Sequence, residues 1–465
     1  MKKLLPKKYR RLLWAGLLAC LVLYVLGSLL VPPLAGTQRK SDRQIKLPAP
    51  AAERVCLVDG NEEALRWRLR LIRSAQSEIV LSTFDFRADE SGSDVVAALL
   101  DAAERGVQVR LLVDGMNAQL HLQGSAAFQA LAAHENAEIM FYNPLRLTRL
   151  WSANYRSHDK YLIIDRGAYL LGGRNTSDLF LGSGGTARQN MDRDVVVCGS
   201  GSGRGSAAAL LDYFEDIWAL DTNREFRANG EAGRVLRAAA ALRERWAAIT
   251  GAGRVTPIDW DAETIQAGGV TVLHGDCAAR NKEPVLLNTL TALMQGGREQ
   301  VVVQTPYIIC NRAMYDALEK AGGAAQVQII TNAPQRGANP WGCADYLNQK
   351  KAILSTGVSV CEWHGERSMH TKTILIDDRF SIIGSFNWDM RSAYLDTELM
   401  LLVDCPELNA ALRAETDEMV RQGRLLLPDG TAVEGAAYTA PEMPLYKKLL
   451  QPVLRVVIRP FRYVL

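Results

Sequence analysis

Residues 158–175 read HDKYLIIDRGAYLLGGRN, and residues 370–387 read HTKTILIDDRFSIIGSFN. Both follow one pattern: His-x-Lys, four residues, Asp, six residues, Gly, then Gly or Ser, one residue, Asn. In each copy the apolar run after the lysine (YLII, TILI) predicts a strand, and the next run (AYLLG, FSIIG) predicts a second. On a strand, His and Lys at i and i+2 project from one face, so each copy aims an imidazole and an ammonium at the same point. A single copy would be moderately specific. Two copies at identical spacing argue for a duplicated chain whose halves share one site.

Working outward, the same order of elements occurs twice. In the first half, Glu63–Ala75 is predicted helix, Glu78–Phe84 strand, Asp94–Arg105 helix ending at Gly106, and Val107–Val113 strand. In the second, Pro284–Met294 is predicted helix, Gln300–Tyr307 strand, Met314–Ala321 helix, and Val327–Thr331 strand. Helices alternating with Val/Ile/Leu-rich strands indicate an α/β fold with a largely buried sheet. A Gly/Ser loop (199–206) and a helical stretch (Leu210–Leu220, then Glu231–Ala248) separate the halves. The expected divisions are 1–45, a basic N-terminus and membrane anchor; 46–255, the first half; 256–425, the second half; and 426–465, a basic amphipathic tail.

The two ends point to a membrane. Lys2, Lys3, Lys7, Lys8, Arg10 and Arg11 precede an uncharged run from Leu12 to Val31. That run is long enough to cross a bilayer once, about 20 residues at 1.5 Å each, and longer than a signal-peptide core. Basic residues before it outnumber Arg39, Lys40, Arg43 and Lys46 after it, which favours a single-pass cell-membrane protein with its body outside the cytoplasm. The eight cysteines make no CxxC pair and no zinc-like spacing, and they weigh mildly against that orientation. From Leu445 the tail reads LYKKLLQPVLRVVIRPFRYVL; such a segment lies on an anionic membrane or docks on its own domain.

The paired motifs supply a kit for a phosphodiester. Lys160 and Lys372 would neutralise phosphate oxygens, Asn175 and Asn387 would donate hydrogen bonds, one histidine would attack phosphorus, and the other would protonate the leaving alcohol. With two lysines in place no metal is required, and the chain has no HExxH or EF-hand spacing. His121, His134, His274 and His364 lack partners in sequence and read as ordinary histidines. Arg146, Arg149 and Arg156 could grip a second phosphate, or form a solvated face. The net charge of +3 is too small to argue for nucleic acid.

The motifs resemble those of the phospholipase D superfamily, and residues 50–425 resemble its bacterial cardiolipin synthase branch. Ala97–Leu100 through Val107, Asn143-Pro144, Tyr155–His158, Gly172–Asn175, Arg193-Asp194, Phe214 with Trp218, and Asn387 through Ser392 carry the likeness. The resemblance implies a duplicated α/β sandwich of two halves related by a pseudo-twofold axis, with His158, Lys160, Asp165, His370, Lys372 and Asp377 catalytic. It implies that Asp194 and Glu398 orient the histidines, and it favours His158 as nucleophile. The first motif has Gly-Gly where many members have Gly-Ser, so a hydroxyl near the phosphate is expected only from Ser385. Asp165 and Asp377 each follow an apolar run, and a structural role at the strand end is an equal alternative. The expected activity is phosphatidyl transfer between phospholipids through a phosphohistidine. It would form cardiolipin from phosphatidylglycerol and a second phospholipid, with phosphatidylethanolamine a further candidate, and no cofactor. Hydrolysis by the same intermediate is the alternative, ahead of a nuclease.

Overall fold

The computed structural model describes residues 7–183, 189–199 and 205–465. Lys2, Lys3 and most of the Gly/Ser loop lie outside the described residues. The β-branched runs expected to be buried strands build two nine-stranded sheets. The first runs, in spatial order, Arg224–Phe226, Ala137–Tyr142, Gln108–Asp114, Glu78–Thr83, Tyr161–Ile164, Ala168–Gly172, Asp194–Cys198, Arg54–Val58, Ile265–Gln266. The second runs Gly269–His274, Leu399–Asp404, Phe380–Gly384, Thr373–Ile376, Gln300–Gln304, Gln326–Asn332, Ser359–Trp363, Arg424–Leu426, Ala432–Glu434. In both, three neighbouring strands are parallel and the motif hairpin joins them antiparallel. The duplication therefore extends to strand order and direction.

Each sheet packs helices on its outer face: Asn61–Ser74, Glu90–Glu104 and Ala232–Gly251 on the first, Val285–Gln295, Arg312–Gly322 and Pro340–Leu354 on the second. The inner faces meet in one shared core with two helices between them, Ser206–Trp218 and Pro406–Gln422. Val80, Tyr169 and Val197 of the first sheet and Val302, Leu375 and Leu401 of the second are buried there with Phe214 and Leu412. A fully buried Arg193 crosses the seam, donating to Gln304 Oε1 (2.8 Å) and Thr373 Oγ1 (2.9 Å) and pairing with Asp59 and Glu415.

Two expected boundaries move. Ile265–Gln266 pairs with Arg54–Val58, so the first sheet continues past 255. Arg424–Leu426 and Ala432–Glu434 extend the second sheet past 425, so the tail begins after Glu434. The N-terminal apolar run forms one helix, Lys7–Gly36, of which Tyr9–Gly36 is long and apolar enough to cross a membrane. Its last turns dock on the body: Tyr24 donates to the Leu147 carbonyl (2.8 Å) and Asn154 donates to that of Leu29 (2.8 Å).

The motif aspartates take the structural role. Asp165 and Asp377 adopt positive φ, 47° and 48°, at the turn of each hairpin. Asp165 accepts from the amides of Gln76, Ser77 and Glu78, and Asp377 from those of Arg298, Glu299 and Gln300. Each carboxylate thus closes the start of a neighbouring strand, a strand's length from its histidine, and cannot reach a substrate there. Burial raises the pKa of each, but the amide and hydroxyl donors prevail and hold both below the ordinary 3.8. A depressed folded pKa gives stability that is present above 3.8 and lost as pH falls below it. Asp165→Ala and Asp377→Ala should each cost about 1–2 kcal/mol at neutral pH, leaving three amides uncapped. In thermal melts between neutral pH and the acid range, the double variant should lose less stability on acidification than the parent.

Candidate active site

The two motif strands bring their histidines to the seam, where each half completes the other. The Ser157 segment pairs with Thr397, and the His158 amide donates to the Thr397 carbonyl (3.3 Å). Symmetrically, Met191 pairs with Met369, and the His370 amide donates to the Met191 carbonyl (2.7 Å). His158 Nδ1 then lies 3.0 Å from Glu398 Oε1, and His370 Nδ1 lies 2.5 Å from Asp192 Oδ2. Both carboxylates come from the opposite half. A tautomer with Nδ1–H donating to its carboxylate would leave Nε2 as the lone-pair nitrogen; at His370 the Lys372 ammonium also stands against the ring, 2.5 Å from Nδ1 and 3.3 Å from Nε2. Phe84 packs edge-on against His158 at 5.0 Å, and Phe180 against His370 at 4.9 Å.

The assignment of Asp194 is corrected. Its carboxylate is fully buried between Arg68 Nη1 (3.0 Å) and Arg174 Nη1 (3.3 Å), inside the first half. Strand register explains the shift. Gly172 faces Asp194 and Gly384 faces Met400, so Glu398 lies two residues before the partner of the motif glycine. The same count in the first half gives Asp192. Acidic residues stand at both 192 and 194, and only the register of the strands separates them.

Ser385 is also reassigned. Its hydroxyl donates to Glu398 Oε2, and Ser392 Oγ donates to Glu398 Oε1 (2.5 Å), so Ser385 braces a carboxylate rather than facing a phosphate. The first half cannot copy this. A Cβ at Gly173 would stand 2.3 Å from Asp192 Oδ1, so the shorter aspartate occupies the space that a serine side chain would need. Asn175 Oδ1 accepts from the Asp85 amide (3.4 Å), and Asn387 Nδ2 donates to the Tyr307 hydroxyl (3.3 Å), a residue not singled out from sequence. Arg156 is held by Asp114, with Nη2 at 2.5 Å and Nε at 2.9 Å from its carboxylate, and is not free to bind a ligand.

The site concentrates charge in a buried place. Lys160 and Lys372 each donate to the carbonyl of their own motif histidine, and Lys372 Nζ lies 3.5 Å from Asp192 Oδ2. Burial pulls Lys160 down to about 7 and pushes Glu398 up to about 8. Burial and the adjacent Lys160 carry His158 well below its ordinary value; burial and Lys372 take His370 down to about 4. The two motifs also act on each other across the seam, Lys372 and His370 on His158, and Lys160 on His370. Asp192 behaves differently from Glu398: burial would raise it, but Lys372 and His370 prevail and hold it ionised far into the acid range. Among the described residues no cluster of three or more His, Cys, Asp and Glu side chains is placed to hold a metal.

The chain is similar to known proteins of one family. Residues 69–218 and 290–420, more than half of the chain, match the family described as "Cardiolipin synthase, PLD-like domain". An uncharacterised protein of Helicobacter pylori (strain J99) is 23% identical over 422 residues, covering 80% of each chain. The cardiolipin synthase of Geobacillus kaustophilus is 25% identical over 359 residues, 76% of this chain and 63% of that relative. In fold, the chain resembles the phosphatidylserine synthase of Haemophilus influenzae with a TM-score of 0.63 at 17% identity, covering 90% of this chain and 98% of the other. With both His-Lys motifs meeting at one seam and the family match spanning both halves, the chain belongs to the phospholipase D superfamily, in its cardiolipin synthase branch.

Proposed function

We propose that the protein transfers a phosphatidyl group from one phospholipid to a hydroxyl of phosphatidylglycerol, forming cardiolipin through a phosphohistidine. The observation that carries this reading is the pair of histidines whose Nδ1 atoms are held by carboxylates from opposite halves. A carboxylate on Nδ1 fixes the tautomer and supports an imidazolium, while Nε2 does the chemistry. His158 is assigned as nucleophile, as the family resemblance implies, and His370, whose Nδ1 lies 2.5 Å from Asp192, as the acid once a bound phosphate anion favours its protonation.

In the first step His158 Nε2 bonds to phosphorus and the bond to the leaving alcohol breaks as His370 gives that alcohol its proton. In the second, the acceptor hydroxyl gives its proton to His370 and attacks phosphorus, and the N–P bond breaks. Lys160 and Lys372 offset the charge spreading over the phosphoryl oxygens, with Asn175 and Asn387 as neighbouring amide donors. The names of the relatives support a phospholipid donor. The Tyr9–Gly36 helix supports a single-pass anchor in the cell membrane. The basic excess before that helix supports a body outside the cytoplasm.

The deciding assay incubates the purified protein with phosphatidylglycerol vesicles, with and without phosphatidylethanolamine, and identifies products by mass spectrometry. Cardiolipin is expected; phosphatidic acid as the main product would replace transfer by hydrolysis. Activity should persist in EDTA, since the lysines supply the positive charge.

His158→Ala and His370→Ala should each lower kcat by roughly 10³-fold or more, and the double variant by little further, because nucleophile and acid act as one unit. Asp192→Asn should lower kcat by about 10²-fold in a protein that still folds. Asp194→Asn should instead destabilise the fold, by about 3 kcal/mol, by weakening a buried carboxylate between two arginines. Activity lost in Asp194→Asn without destabilisation, and kept in Asp192→Asn, would reverse the assignment.

Lys160 should set the alkaline side of kcat/KM. Its cationic form is the one that binds phosphate, and burial has brought its pKa down to about 7, so kcat/KM should fall as pH rises through that value. Lys160→Arg, which keeps its charge, should move that limb upward; an unchanged limb would remove Lys160 from the profile.

A further inference from the structure

The C-terminal helix, Leu445–Val457, is amphipathic the wrong way round for a soluble protein. Its inward stripe is Lys447, Gln451, Leu454 and Ile458, the i, i+4, i+7, i+11 positions that pack on the Pro340–Leu354 side of the second half. Lys447 Nζ donates to the carbonyls of Gln335 (2.9 Å) and Gly337 (3.0 Å), Arg455 Nε donates to Asn348 Oδ1 (2.9 Å), and Arg462 is paired with Asp345 at 2.9 Å. Three of the tail's basic side chains are thus used to fasten it to the body. The apolar ones face out: Leu445, Tyr446, Leu449, Leu450, Val453 and Val456 are 52–71% exposed. At 100° per residue they cover an arc of about 140° opposite the docked stripe.

The surroundings say what covers this face. The tail's last turn, Arg459–Val464, packs against the Tyr9–Gly36 helix, and Arg391 Nη1 ties it to the second motif's flank by donating to the Val464 carbonyl (3.1 Å). The segment Leu147–Ser152, just ahead of His158, packs on that same N-terminal helix and exposes Leu147 and Trp151. An outward apolar arc, a second exposed apolar segment and a membrane-length helix are therefore joined into one surface.

We propose that Leu445–Val457 lies in the plane of the bilayer with its outward side chains at the acyl–headgroup boundary, and that Leu147 and Trp151 dip in beside it. The body would then be seated on the lipid by the elements that flank both motifs, not merely tethered to it. Attachment comes from apolar insertion, while Lys448 and Arg459, exposed at the edge of the arc, remain for anionic headgroups.

The test uses the full chain in vesicles of phosphatidylglycerol and phosphatidylethanolamine. A benzophenone amino acid replaces Leu449, Val453 or, as the inward control, Gln451, and the products of irradiation are read by mass. At 449 and 453 a mass increase of one phospholipid is expected. At 451 an internal cross-link is expected, with no lipid adduct. A cross-linked dimer at 449 and 453 would overturn the proposal in favour of a second copy of the chain, and absence of any adduct there would overturn it in favour of a solvent-facing helix. The readout needs no turnover, so it stands apart from the proposed reaction.

Discussion

Neither half of this protein owns a complete histidine site. His158 comes from the first half and its carboxylate, Glu398, from the second; His370 comes from the second and Asp192 from the first. Such hydrogen bonds tolerate errors of only a few tenths of an ångström, so the two sheets must be held in fixed relation. That requirement accounts for the shared core between the inner faces, the two helices within it, and Arg193, whose guanidinium bonds residues of both halves. It also accounts for the backbone pairing at Ser157–Thr397 and Met191–Met369, which sets the height of each imidazole directly.

The site stores opposite charges in a place largely closed to water. Two lysines, two histidines and two carboxylates share the seam, and burial opposes the charged form of each. In the proposed reaction a phosphate entering between the lysines would relieve that opposition, because its negative charge favours protonated lysines and a protonated histidine together. Binding and the readiness of the proposed acid would thereby be linked, since the anion to be cleaved would also raise the proton affinity of the group that protonates its leaving alcohol.

Much of this could be read in the sequence because the chain repeats itself. The strand runs after Lys160 and Lys372, the helix–strand order and the membrane-length helix all follow from local pattern, and the structure places them within a few residues of expectation. What escaped depended on register or on the fate of a side chain's second partner. Asp194 and Asp192 differ by two residues, and only the pairing of Gly172 with Asp194 separates the strut from the histidine's partner. Ser385 was legible as a hydroxyl beside the site, but not its bond to Glu398. The strand-end role of Asp165 and Asp377 was open beforehand, and the amides of residues 76–78 and 298–300 decide it. The tail's amphipathic pattern was plain, while its inside-out docking was not, because a helical wheel does not say which face meets the body.

One small departure from symmetry has a large consequence. A site with true twofold symmetry cannot distinguish the two ends of a phosphodiester, and would accept it in either direction with equal energy. Here the first half carries a short carboxylate against a bare glycine, and the second a long carboxylate braced by two serines. Once the two ends of the site differ, a substrate would have a preferred heading, and each 1.4 kcal/mol of difference would make that heading about tenfold more populated. In the proposed reaction the missing side chain at Gly173 would thus act as a compass mark, by which a duplicated site could tell the arriving ester from the departing one.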